Sequence, residues 1–312
     1  MNCEFSILKV LVYFDIFRYP LTKEEVYSYL DHSYTNKIFQ ATIDQLITEK
    51  KIFKLDKYYS LQNDISLVNR RNTGNENARL LLLKAEKIAR LIYKFPFVRA
   101  VGISGSVSKN FADELSDIDY FVITKAHKLW IARTFLHLYR KLPFVKNRNQ
   151  HYCMNYFVDE ANMVIAEQNI YTATELYTLI PIAGNDSMKN FFECNSWSYD
   201  YLPNKNLPAV ADKKLTGRLR TKKIIEWLFS NHFGEYLDNY LMRLTKKRWK
   251  KKQDEGRLNI KGERMGFDIG KHFCKPSIIF FHNWFMTRYE KKLEETGKKW
   301  REKIGTKTSL NI

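Results

Sequence analysis

The sequence predicts an α+β fold: a mixed-sheet core preceded by a small helical unit and followed by a mostly helical C-terminal region. Three observations carry that reading. Residues 1–65 show three stretches of helical apolar spacing and then a short hairpin pattern. Residues 75–170 alternate helix and strand, and two apolar strands bracket a Gly-Ser turn and an Asp-x-Asp. Residues 171–312 show mainly helical spacing and hold most of the positive charge.

In the first part, Ile7, Leu8, Leu11 and Phe14 recur at helical spacing over Glu4–Phe17, and Pro20 breaks the chain. Thr22 and Glu25, three residues apart, form a capping box that starts a second helix, running to Leu30. A third helix is expected over Asn36–Lys50, with Ile43, Leu46 and Ile47 inward. Lys51–Leu55, an Asp56-Lys57 turn and Tyr58–Leu61 then read as a hairpin.

A polar connection, Asn63–Asn77, leads to a long helix over Glu76–Lys94 that ends before Pro96. The expected order after it is a strand around Val98–Ile103, a short helix near Ser108–Leu115, a strand through Asp117–Ile123 and a helix over His127–Leu142. A third strand, Tyr152–Val158, turns through Asp159–Asn162 into a fourth, Met163–Ala166.

The chemistry-bearing feature is Gly105-Ser106 followed, after ten residues, by Asp117-Ile118-Asp119. Alternate residues of a strand share a face, so the two aspartates project together while Ile118 points into the core. Adjacent carboxylates repel, and a divalent cation such as Mg2+, which prefers oxygen ligands, relieves that repulsion. A glycine-serine turn offers backbone N–H groups and a hydroxyl to a phosphate. A phosphate seat beside a metal seat is the minimum apparatus for nucleotidyl or phosphoryl transfer.

From Val98 to Thr124 this pattern resembles the nucleotidyltransferase superfamily typified by DNA polymerase beta. The order of elements extends the resemblance to about Ala166. It implies a nucleotidyltransferase core at 75–170, with Asp117 and Asp119 as Mg2+ (or Mn2+) ligands and Gly105 and Ser106 holding a nucleoside triphosphate. It also implies transfer of a nucleoside monophosphate to an acceptor hydroxyl. The family's third carboxylate stands on the next strand. Here the matching position is Asn155, and Asp159, four residues on, is the favoured catalytic and metal-binding acid; Glu167 is a third candidate. The absence of a clear acid there keeps a second reading open: a non-catalytic nucleotide-sensing or nucleic-acid-binding protein with a degenerate core.

Three helices and a hairpin at 1–65 resemble a winged helix. Its third helix would face DNA, but it offers Lys37, Gln40, Gln45 and Lys50 against Asp44 and Glu49. The unit's 8 Lys+Arg against 9 Asp+Glu favour a docking role over phosphate contact. Residues 213–312, by contrast, carry 26 Lys+Arg against 11 Asp+Glu, most of the chain's net +18. That excess favours an anionic acceptor or RNA. In Lys246–Lys252, Trp249 reads either as a base-stacking residue or as part of an amphipathic helix with a solvated basic end.

Trp227, Phe280, Phe281 and Trp284 read as core residues. Further helices are expected over Thr172–Ile180, Leu215–Phe229, Glu235–Lys252 and Pro276–Thr296, with a loop-rich stretch from Ala183 to Pro208. His127, His137, His232, His272 and His282 lack partners at metal-ligand spacing, and His272 with Cys274 reads as packing. Four dispersed cysteines fit a reducing cytoplasm. The N-terminus lacks a signal-peptide pattern, and the most apolar stretch, Ser277–Met286, is interrupted by His282 and Asn283, so no membrane span is expected.

Overall fold

The computed structural model describes residues 2–141, 152–208, 220–256, 258, 264–278 and 281–308. The first part opens with helix α1 (Cys3–Asp15), capped by the Asn2 side chain, whose oxygen accepts from the Glu4 N–H at 3.0 Å. Ile7, Leu8, Leu11 and Phe14 are buried, as their spacing requires. Strand β1 (Leu21–Thr22) precedes α2 (Lys23–Ser28), which begins with the expected capping box. The Thr22 N–H donates to Glu25 Oε2 at 2.8 Å, and Thr22 Oγ1 accepts from the Glu25 N–H at 3.3 Å. Thr35 caps α3 (Asn36–Thr48), and the chain returns through β2 (Phe53–Leu55) and β3 (Tyr58–Ser60). The small antiparallel sheet has the order β1-β3-β2, with Asp56 at positive φ in the β2–β3 turn.

The long helix α4 (Ser66–Tyr93) begins ten residues earlier than Glu76, absorbing most of the polar connection. The reason is a set of partners that local polarity does not show. Leu67 and Val68 are buried, and Arg71 is 3% exposed. Its guanidinium donates to both Glu25 carboxylate oxygens at 2.8 Å and to the Pro20 carbonyl, between the rings of Tyr19 and Tyr58. Gly74 lets α4 approach the Phe111 ring, where a Cβ would come within 2.3 Å.

A six-stranded mixed sheet follows. Its strands in chain order are β4 (Val98–Ser104), β5 (Ile118–Thr124), β6 (Tyr152–Asp159), β7 (Ile180–Ala183), β8 (Met265–Ile269) and β9 (Phe273–Ile278). Across the sheet the order is β7-β4-β5-β6-β9-β8, and β5 and β6 are its parallel pair. The helices between them are α5 (Gly105–Ser108), α6 (Leu129–Lys141), α7 (Ile170–Thr178), α8 (Asn185–Cys194), α9 (Arg220–Leu228), α10 (His232–Asp254) and α11 (Phe281–Thr308).

One face of the sheet packs Val101, Ile103, Ile118, Tyr120 and Val122 against α4, Trp130 of α6 and Trp249 of α10. The other packs Ala100, Phe121 and Ile123 against Leu176 of α7 and Phe191 of α8. The C-terminal helix leaves the sheet and completes the first core. Phe285, Tyr289 and Trp300 join α1 and α3, and Lys292 ion-pairs with Asp15.

Several expectations change. Residues 171–312 are mostly helical, as expected, but they also contribute β7, β8 and β9 to the sheet. Met163–Ala166 is not a strand. Met163 and Ile165 are buried, and Asn195 ties this segment down through the Ile165 N–H at 2.9 Å and the Met163 carbonyl at 2.8 Å. The stretch after Ala183 contains α8.

Pro276 lies in β9 opposite Phe267, beyond the two residues, Phe273 and Cys274, that β9 pairs with β6. Its missing N–H therefore falls outside the β6–β9 ladder. Trp227 is 79% exposed and Trp284 is also exposed, whereas Trp249 is buried against Phe267 and the Arg133 guanidinium. Leu142, the start of the expected Leu215–Phe229 helix up to Leu219, and Phe280 lie outside the described residues. Among the described residues no helix is long and apolar enough to cross a membrane.

Two predictions follow from this packing. Arg71→Ala removes the cation that satisfies Glu25 and holds α4 to the first unit. It should cost about 2–4 kcal/mol of unfolding free energy, read by denaturant titration. The second concerns Asp238 of α10, which accepts from the Ile131 N–H at 2.8 Å near the start of α6. Burial pushes this carboxyl up to about 7, against the pull of the Ile131 and Trp130 N–H groups and Lys128. The unfolded group has its ordinary value of 3.8, so between pH about 4 and 7 the folded chain holds the extra proton. Raising pH across that window removes stability. Asp238→Asn should flatten this part of the fall in thermal midpoint between pH 5 and 7.5.

Candidate active site

The site is built where β4 ends. Antiparallel pairing sets Ser104 opposite Asp119, and the next residue, Gly105, turns the chain into α5 at φ +73°. A Cβ at Gly105 would stand 2.3 Å from Asp119 Oδ2, so only glycine lets the turn lie against the carboxylate. Ser108 Oγ donates to the Gly105 carbonyl at 2.8 Å, closing the turn from its far side. Asp117, just before β5, and Asp119 are half-buried, while Ile118 between them is buried. The alternation expected of the Asp-x-Asp is therefore present.

Sequence reasoning missed four further residues. Lys109 Nζ donates to the Gly105 carbonyl at 3.1 Å and to a Glu175 oxygen of α7 at 2.8 Å, which brings a cation and a third carboxylate to the turn. Tyr171 stands one helical turn before Glu175 on α7. Burial and the Glu175 charge push the Tyr171 phenol well up, and Asp119 adds to that shift. Cys153 of β6 pairs in register with Asp119. Burial pushes its thiol up to about 12, and the nearby Asp119 and Asp117 carboxylates reinforce the shift. The i, i+4 pair Tyr171 and Glu175 on one helix face was the available signal, but nothing local aimed that face at Asp119.

The expected third acid is corrected. Asp159 pairs with Thr124, five residues along β5 from Asp119. At about 3.3 Å per residue it stands roughly 16 Å away along the strand, at the opposite end of the sheet. Asn155 falls at a bulge, where the register steps from Tyr120–Met154 to Phe121–Tyr156. Glu167 lies close enough to Tyr156 to help raise its phenol, which places the acid near the ring that packs on Phe121.

Asp159 instead anchors a second cluster. Fully buried, it accepts from the N–H groups of His127 and Ala161, each at 3.0 Å, and meets His272 Nδ1 at 3.0 Å. The ligand atoms of His127, Asp159 and His272 all lie within 4.8 Å of one another. These histidines, read from spacing as lacking partners, therefore have them.

The hard oxygen donors of Asp119, against the glycine turn that Lys109 also reaches, and of Asp117 two residues before it suit a divalent cation carrying a phosphate. Gly105→Ala adds both the clash and the positive-φ penalty. It should lower stability by about 2–3 kcal/mol and displace Asp119, measured by thermal denaturation and by loss of Mn2+ binding.

Comparison with protein-family models, with curated proteins and with solved structures returns no match.

Proposed function

We propose that the chain is a nucleotidyltransferase: it moves a nucleoside monophosphate from a nucleoside triphosphate to an acceptor hydroxyl. The observation that carries this reading is the contact between Gly105 and Asp119, a turn without a Cβ pressed onto one of the two Asp-x-Asp carboxylates. Gly105 and Ser106 would hold the triphosphate through main-chain N–H groups and the Ser106 hydroxyl. Lys109 adds a cation at the same turn and can exchange Glu175 for phosphate oxygens.

Asp117 and Asp119 would hold Mg2+ or Mn2+. When bound, the ion supplies charge neutralisation at the phosphates and lowers the acceptor hydroxyl's affinity for its proton. The protein's task is then to hold the α-phosphorus in line with the acceptor oxygen while pyrophosphate leaves.

The acceptor reading follows charge. Lys246, Lys247, Arg248, Lys250, Lys251 and Lys252 are exposed along α10, while Trp249 turns inward. That surface favours an anionic acceptor or RNA held by phosphate contacts, with no base stacking from Trp249. The small unit at 1–65, a winged helix in this reading, serves as a docking module. The free thiols Cys3, Cys153, Cys194 and Cys274, together with a nucleoside triphosphate substrate, suit the cytoplasm.

One observation favours a second reading. A thiol, Cys153, stands level with Asp119 on the strand where the resemblance expects a carboxylate. A nucleotide sensor without turnover would be built that way.

The test is incubation of the full chain with each α-labelled nucleoside triphosphate, Mg2+ or Mn2+ and cell extract, beside Asp117→Ala/Asp119→Ala. Label transfer by the native chain, falling by more than about 100-fold in the double variant, is the expected result. Undiminished transfer in that variant overturns the site. Nucleotide binding without transfer selects the sensor.

A further inference from the structure

We infer that His127, Asp159 and His272 form a binding site for a divalent transition-metal ion, with Zn2+ the best chemical fit, separate from the Asp117/Asp119 pair. Two imidazoles and one carboxylate are a borderline-soft N2O donor set, which selects Zn2+ and its neighbours over Mg2+.

The three residues come from distant segments. His127 lies in the loop between β5 and α6, Asp159 at the end of β6, and His272 in the turn between β8 and β9. Topology alone brings them together. Because β6 and β5 are parallel, Asp159 ends level with Thr124, three residues before His127. Because β9 runs antiparallel to β6, with Phe273 opposite Val158, the β8–β9 turn closes over the same point.

Asp159 is 0% exposed, and its carboxylate is held by two main-chain donors, the N–H groups of His127 and Ala161, each at 3.0 Å. Fixed backbone donors of this kind orient metal-ligating carboxylates. His272 Nδ1 lies 3.0 and 3.1 Å from the two carboxylate oxygens, a separation that neighbouring ligands on one ion share with a hydrogen-bonded pair. The His127 and His272 rings stand 5.3 Å apart at 64°, so each can turn a nitrogen toward the carboxylate without stacking on the other.

The ligand atoms span up to 4.8 Å, whereas ligands at about 2.0–2.1 Å from a tetrahedral Zn2+ sit closer together; side-chain rotation closes the difference. Three protein ligands leave the fourth position to water. The consequence is a clasp. The β8–β9 hairpin pairs with the rest of the sheet through Phe273 and Cys274, and an ion at this point joins its turn to β6 and to the β5–α6 loop.

The alternative is a His272–Asp159 ion pair with His127 as a neighbour, and the two are separable. The full chain is stripped with chelator and titrated with Zn2+ and with Co2+, reading metal content, thermal midpoint and the visible absorption of Co2+. One equivalent bound, with a raised midpoint and Co2+ bands of low coordination number, is the expected result. His127→Ala should weaken binding by more than about 100-fold, since even the loss of an outer-shell partner costs 10–100-fold. His272→Ala should do the same, and circular dichroism checks that both are folded, so that Asp159→Asn, the variant most exposed to misfolding, is not required. Asp117→Ala/Asp119→Ala should retain the ion. Binding of less than about one-tenth of an equivalent, or binding that survives both histidine variants, overturns the inference.

Discussion

The site depends on the antiparallel pairing of β4 with β5. That ladder sets Ser104 opposite Asp119, and so delivers Gly105 to a place where no other residue fits. A left-handed glycine turn is costly in chain entropy, and its close approach to Asp119 is what that cost allows. Everything around the pair works to keep it in place. Apolar side chains bury both faces of β5, and α7 brings Glu175 and Tyr171 to the same turn.

The sheet has two ends with different chemistry. At the start of β5 the donors are carboxylates, a lysine and a glycine turn, a hard-oxygen environment with positive charge at hand. At its far end stand two imidazoles and a fully buried carboxylate. Five residues of strand separate them, so neither can share an ion with the other. The two donor sets differ in chemistry, hard oxygens at one end and an N2O set at the other. In the function proposed above, the first would take a phosphate-bearing ion arriving with substrate, and the second the inferred ion that holds the β8–β9 hairpin.

Features written over a few residues were legible in the sequence. The Thr22–Glu25 capping box needs only its own four residues, and it stands as expected. Asp117 and Asp119 flank a buried Ile118 because strand alternation is a local rule. What local pattern could not show was which distant segment arrives. Ile180–Ala183 is four residues long with a proline inside, too short for a period, yet it pairs with β4. Pro276 heads an apolar run that suits a helix start as well as a strand, and β8 decided it. Trp227 has helical spacing, but spacing gives a face and no partner for it. Counting along β6 from Asn155 ignores the register, which puts Asp159 beside Thr124 and away from Asp117 and Asp119. Its histidines lie 32 and 113 residues away, beyond any spacing rule.

The central claim is that Gly105–Ser106 and Asp117–Asp119 form one nucleotide-and-metal seat. The most direct measurement is a crystal structure of the full chain with Mn2+ and a non-hydrolysable nucleoside triphosphate, using the anomalous signal to locate the ion. An Mn2+ peak bound by both Asp117 and Asp119, with triphosphate oxygens on the main-chain N–H groups of the Gly105–Ser106 turn, is the expected result. A nucleotide bound elsewhere, or an ion that neither aspartate touches, would contradict it.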